Sequence, residues 1–192
     1  MTTFAELFRS GADIDAIFAH LDALPEEERF KQILDFPGGA MSELYDRAES
    51  KKTKVATMIP AADRIVVYSG KNSLPVFSRF SKPMLRRPGA SEGFGHNRGF
   101  TTFASGPGYF MVIDDPESGE ASFDYKRVPE EKPEDWPAIQ PNTGFKIGTL
   151  VYGNMLDCNR WVSSHTIVGR AFRSGKVEAH YVVTQVTVDP HA

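Results

Sequence analysis

The chain has 192 residues, 41% of them apolar and 24% charged, with a formal net charge of −3. That length holds one domain with a core and a pocket, and the balance excludes wholesale disorder and a dedicated polyanion binder, so no nucleic-acid partner is expected. The longest apolar runs are a few residues, as in Ile65-Val66-Val67-Tyr68, which excludes a membrane-spanning helix.

Residues 1–49 read as short helices. Thr3 and Glu6 form a capping-box pattern that Gly11 brings to a stop, and Asp13 caps a second helix whose apolar stripe is Ile14, Ile17, Phe18 and Leu21. Pro25 followed by three glutamates starts a third, because proline loses nothing at a helix start and acid favours the positive end of the dipole; Phe30, Ile33 and Leu34 supply its apolar face. After the break at Pro37-Gly38-Gly39, a fourth carries Met41, Leu44, Tyr45 and Ala48 inward. Residues 49–54 are polar and read as an exposed connector.

From Val55 the spacing becomes extended, with glycine and proline punctuation. Three hairpins are expected. The first joins Arg64–Ser69 to Leu74–Ser81 through a turn at Gly70–Ser73. The second joins Tyr109–Asp114 to Ala121–Val128 around Pro116–Gly119, and the third joins Thr166–Phe172 to Val177–Val188 around Arg173–Lys176. Leu150–Val162 fits neither period and is either a bulged strand or a short helix. The proline-rich segment 129–142 contains Trp136 and Ile139, which argues that it lies against the body. The fold class that follows is α+β in a single domain over 1–192: short N-terminal helices (1–49) packed on a curved antiparallel β-sheet or partly open β-barrel (55–192). In outline this order resembles NTF2-like and lipocalin-like architectures, with no shared motif.

The segment Met84–Tyr109 interleaves glycines with aromatic and polar side chains, as where backbone passes close to something flat or charged, although turn punctuation over a phenylalanine core explains it equally. It is also basic. Arg79, Lys82, Arg86, Arg87 and Arg98 precede an acidic stretch from Asp114 to Asp135, so the two segments either neutralise each other on the surface or leave a basic loop that favours an anion. No dinucleotide or phosphate-loop fingerprint and no nucleophile elbow is present, no cofactor is expected, and no His-x-His or His-Glu-x-x-His spacing argues for a metal.

The leading functional expectation is a pocket in the curved sheet for a small, largely apolar ligand, anionic where it carries a charge. Arg98, Asn97, Phe94, Phe100 and Tyr109 are the candidate ligand-binding residues. The second is a cofactor-independent isomerase, lyase or hydratase in that pocket, with His96 or His165 as base and Asp157 orienting it. The third is an interaction module using the N-terminal helices or an exposed sheet edge. Cys158 reads as a small buried side chain rather than a thiolate nucleophile. One cysteine makes no internal disulfide, and the N-terminal residues lack the basic leader and apolar stretch of a secretory signal, so a cytoplasmic setting is expected; oligomeric state is open, a homodimer included.

Overall fold

In a computed structural model describing residues 2–76, 78–99, 106–142 and 152–192, eight antiparallel strands follow one another round a closed barrel. They are β1 (Val66–Asn72), β2 (Arg79–Leu85), β3 (Gly93–Gly95), β4 (Phe110–Asp114), β5 (Ala121–Asp124), β6 (Met155–Ser163), β7 (Thr166–Arg173) and β8 (Lys176–Val186). Each pairs with the next in sequence, and β8 pairs back onto β1, with Gly70 opposite Val183. The expected sheet is therefore closed rather than partly open.

The N-terminal part holds α1 (Phe4–Arg9), α2 (Ile14–Asp22), α3 (Glu26–Asp35) and, after a 3-10 turn at Gly38–Ala40, α4 (Met41–Arg47). The caps are those the sequence dictates. Thr3 and Glu6 complete a capping box, and Asp13 accepts from the Ala16 amide, each worth about 1 kcal/mol. α2 packs on β6, α3 on β8 and β1, and α4 on β7 and β8. Their stripes meet the outward residues Cys158, Val162, Val168 and Val182 in one core.

The face that α3 buries differs from the expected one. Phe30 and Leu34 are half-buried, whereas Arg29 and Gln32 are buried beside Ile33. Polar partners explain the rotation: Arg29 donates to the Thr184 hydroxyl at 3.0 Å, and Gln32 accepts from the Phe4 amide at 2.7 Å. Buried polar groups are tolerated where such bonds replace water.

Two further expectations shift. Val55–Met58 is a helical turn, α5, whose Val55 amide donates to the Asp114 carboxylate, so the sheet begins only at Val66. Gly70 lies within β1 rather than in a turn: a Cβ there would stand 2.1 Å from the Val182 carbonyl oxygen, so its glycine serves close strand approach. The second arm of that hairpin consequently starts at Arg79, and Pro75 falls in the connection. The connector 49–54 is likewise not wholly exposed, since Thr53 is buried and donates to the Asn159 carbonyl. The other two hairpins form at the expected places, and 155–163 is the bulged strand of the two alternatives, with its irregularity between Trp161 and Ser163.

Alternation along each strand divides side chains between two cores. Inward stand Tyr68, Met84, Phe110, Val112, Phe123, Ile167, Tyr181 and Val183, with Phe80 and Trp161 packed against them. α5 supplies Val55 and Met58 to this core and, with Ile59, plugs one end of the barrel. A third cluster lies outside, where Trp136 of the proline-rich segment packs on Leu85, Phe94 and Tyr109, as its Trp and Ile led one to expect. Among the described residues, no helix is long and apolar enough to cross a membrane.

Candidate functional site

The inward alternation of β2 carries a residue that does not belong to an apolar face. Phe80, Lys82 and Met84 point into the barrel while Ser81, Pro83 and Leu85 point outward, so period-two geometry alone drives a lysine inside. Lys82 is 2% exposed. Its Nζ donates to Tyr125 Oη at 2.5 Å and to Asn97 Oδ1 at 2.9 Å, and it lies 3.6 Å from Asp157 Oδ2. The rings of Phe80, Phe110, Phe123, Tyr125 and Tyr181 surround it, with centroids 4.8–5.3 Å from the nitrogen, inside cation–π range.

Asp157 reaches this point by the same alternation on β6, where Asp157 and Asn159 face inward and Cys158 faces the helices. Its Oδ1 makes no hydrogen bond among the described residues, although the Tyr125 and Tyr181 hydroxyls stand near enough to favour the charged carboxylate. Burial nevertheless pushes the Asp157 carboxyl up, and burial pulls the Lys82 ammonium down to about 8 despite the carboxylate beside it. Burial also holds the phenols of Tyr125 and Tyr181 well above their usual range, so both remain protonated.

The pair faces a cavity of about 450 Å³ at the end of the barrel opposite α5. Tyr125, Tyr152, Ala171 and Tyr181 form apolar walls; Leu74, Val76, Arg98, Arg173 and Glu178 stand at the rim. An eight-stranded barrel has an interior just wide enough to be filled by side chains or to hold one small ligand. Two glycines set its shape. A Cβ on Gly169 would lie 2.0 Å from the Tyr181 ring, and one on Gly108, where φ is +53°, 2.6 Å from the Tyr152 ring. The flat groups passed closely by glycine backbone are thus the protein's own aromatics.

Of the residues singled out from sequence, Asn97, Arg98 and Asp157 line this cavity. Asn97 is clamped by its Nδ2 donating to the Gly108 carbonyl at 3.1 Å, and Arg98 pairs with Asp189 at 3.0 Å. Phe94 and Tyr109 belong to the outer cluster with Trp136, the Tyr109 hydroxyl donating to the Pro137 carbonyl, so neither faces the barrel interior. Phe100 lies outside the described residues.

The histidines do not join Asp157. His96 is 1% exposed, packed on Tyr109 and Trp136, and lines a separate cavity of about 380 Å³ with Arg98, Pro107, Pro137 and His191. Burial lowers its imidazole to about 4, so the ring is neutral at pH 7. Its Nδ1 then carries the proton, donated to the Asn97 carbonyl at 3.1 Å, and Nε2 has no partner among the described residues. His165 is exposed in the β6–β7 turn, its ring beside Gln185. The chain from Asp157 to that turn is continuous strand rather than folded back, which separates the two by on the order of 20 Å. Lysine, not histidine, is the ionic partner of Asp157.

The basic run from Arg79 to Arg98 is dispersed in the same way. Arg87 bridges Asp63 and Glu131 on the surface, partly as neutralising neighbours would, but Lys82 turns inward and Arg98 to the rim. Cys158 is buried 3.5 Å from the Ser122 hydroxyl, its thiol pushed up by burial, and is remote from thiolate chemistry. No family model, curated protein or solved structure matches this chain.

Proposed function

We propose that the barrel binds a small, largely apolar organic ligand in the cavity above Lys82. The observation that carries this reading is the convergence of one amine, one carboxylate, one phenol and one amide at the floor of an otherwise aromatic-lined chamber. Apolar walls supply most of the binding free energy, and the four polar groups orient one hydrogen-bonding end of the ligand. An anionic group on the ligand would meet Arg98 and Arg173 at the rim, each of which also has an acid nearby, Asp189 and Glu178.

A second reading, chemistry on the bound ligand, is favoured by Lys82 and Asp157 rather than by either histidine. A buried lysine with a lowered pKa beside a carboxylate is a recurrent acid–base or nucleophilic arrangement. The binding reading is tested with 1-anilinonaphthalene-8-sulfonate, an apolar anionic fluorophore, and by its displacement with small aromatic carboxylates and alcohols. One saturable site per chain is expected, abolished by Ala171→Trp, which fills the cavity from β7. Fluorescence enhancement that does not saturate, or that survives this substitution in a folded variant, would remove the proposal.

A further inference from the structure

We infer that Lys82 is an amine nucleophile for a carbonyl-bearing ligand, an aldehyde or ketone, which it captures as a Schiff base in the barrel cavity. This deepens the binding reading above and rests on it. Three features of the site carry it. Lys82 lines the cavity together with Asp157 and Tyr125, two of the groups its Nζ meets there. Its ionic partner is held at 3.6 Å, longer than a closed hydrogen-bonded pair, and Asp157 Oδ1 accepts nothing among the described residues, so the carboxylate has capacity to take and return a proton. The surrounding rings exclude the water that would hydrate a free amine and hydrolyse an imine.

A purely structural ion pair would be expected to close its partners' remaining hydrogen-bond sites, because a half-satisfied buried charge is costly. This one leaves a buried carboxylate oxygen, Asp157 Oδ1, without a hydrogen bond among the described residues. Desolvated lysines in apolar pockets are the usual amines of carbonyl chemistry, and burial lowers this ammonium to about 8.

The step balances with no further reagent. The Lys82 ammonium passes a proton to Asp157, and the freed nitrogen lone pair attacks the carbonyl carbon, forming a C–N bond while the C=O π pair moves to oxygen. Asp157 returns the proton to that oxygen, giving the carbinolamine. A second proton, leaving nitrogen by the same route, lets the hydroxyl depart as water as the C=N bond forms. The positive charge stays on the iminium nitrogen, facing the Asp157 carboxylate. Tyr125, protonated throughout, offers its hydroxyl to the same oxygen.

The experiment incubates the full chain at pH 7 with 3-phenylpropanal and sodium cyanoborohydride, then maps alkylated lysines by peptide mass spectrometry. With an ammonium near 8 rather than about 10.4, the free-amine fraction is roughly 200-fold larger; reduced basicity offsets part, leaving Lys82 labelled about tenfold or more faster than exposed Lys31 and Lys176. 3-Phenylpropanol, which has the same shape and no carbonyl, should suppress the Lys82 label, and Asp157→Asn should slow it. Lys82 labelled no faster than Lys31 while the alcohol still binds in native mass spectrometry would overturn the inference and leave the binding reading standing. Loss of both Lys82 labelling and alcohol binding would overturn both. Selectivity within the wild-type chain decides the matter even where the variant fails to fold.

Discussion

Gly169 of β7 and Tyr181 of β8 are direct partners across the ladder, and the Tyr181 ring covers the glycine so closely that a methyl group would stand 2.0 Å from it. The ring cannot retreat freely, because its hydroxyl donates to Asn159 Oδ1 at 2.7 Å. Gly169→Ala is therefore expected to displace Tyr181 and cost about 2 to 3 kcal/mol, the scale of overpacking in a filled core. Urea unfolding of the variant measures this; a midpoint matching wild type would show that the ring moves aside without resistance.

Lys82 and Asp157 should behave as a coupled pair. Removing one partner leaves a buried charge without compensation, at a cost of about 3 to 5 kcal/mol, whereas apolar replacement of both recovers much of that loss. Unfolding of Lys82→Met, Asp157→Leu and the double variant at pH 7 forms a closed cycle. A double variant as unstable as the two single losses combined would deny the coupling.

His96 makes stability depend on pH with a definite sign. Its folded-state value, lowered by burial to about 4, lies below the ordinary 6.5, so between these pH values the unfolded chain binds more protons than the native one. Stability therefore rises as pH increases from about 4 to 6.5 and is lost as pH falls through the same interval. The contribution is about 2 to 3 kcal/mol at about 1.4 kcal/mol per pKa unit, with some allowance for residual solvent. Subtracting the pH profile of His96→Gln from that of wild type isolates it from the carboxylates; a flat difference would be incompatible with a neutral buried ring.

The fold was legible where local signals agreed with one another. Helix caps at Thr3 and Asp13 and the alternation of Ala121, Phe123 and Tyr125 are short-range features that packing reinforced. Gly70 and Val55 were misleading because long-range contacts overrode them: glycine was needed for approach to β8, and the Val55 amide found a carboxylate 59 residues away. The site was less legible. Asp157 does line the cavity, but its sequence context points to a histidine as partner because imidazoles titrate near neutrality, whereas its ionic partner is Lys82. Lys82 belongs, in sequence, to a basic run from Arg79 to Arg98. The signal that identifies it is positional: a lysine occupying an inward slot of an alternating strand, between Phe80 and Met84. Tyr125, Tyr152 and Tyr181 carried no such mark, since aromatic residues in strands are ordinary core material.

Because the eight strands join end to start, each of them has a neighbour of the same molecule on both sides. Among the described residues no strand lies at an open edge of the sheet, which removes the usual template for strand addition and for cross-β stacking.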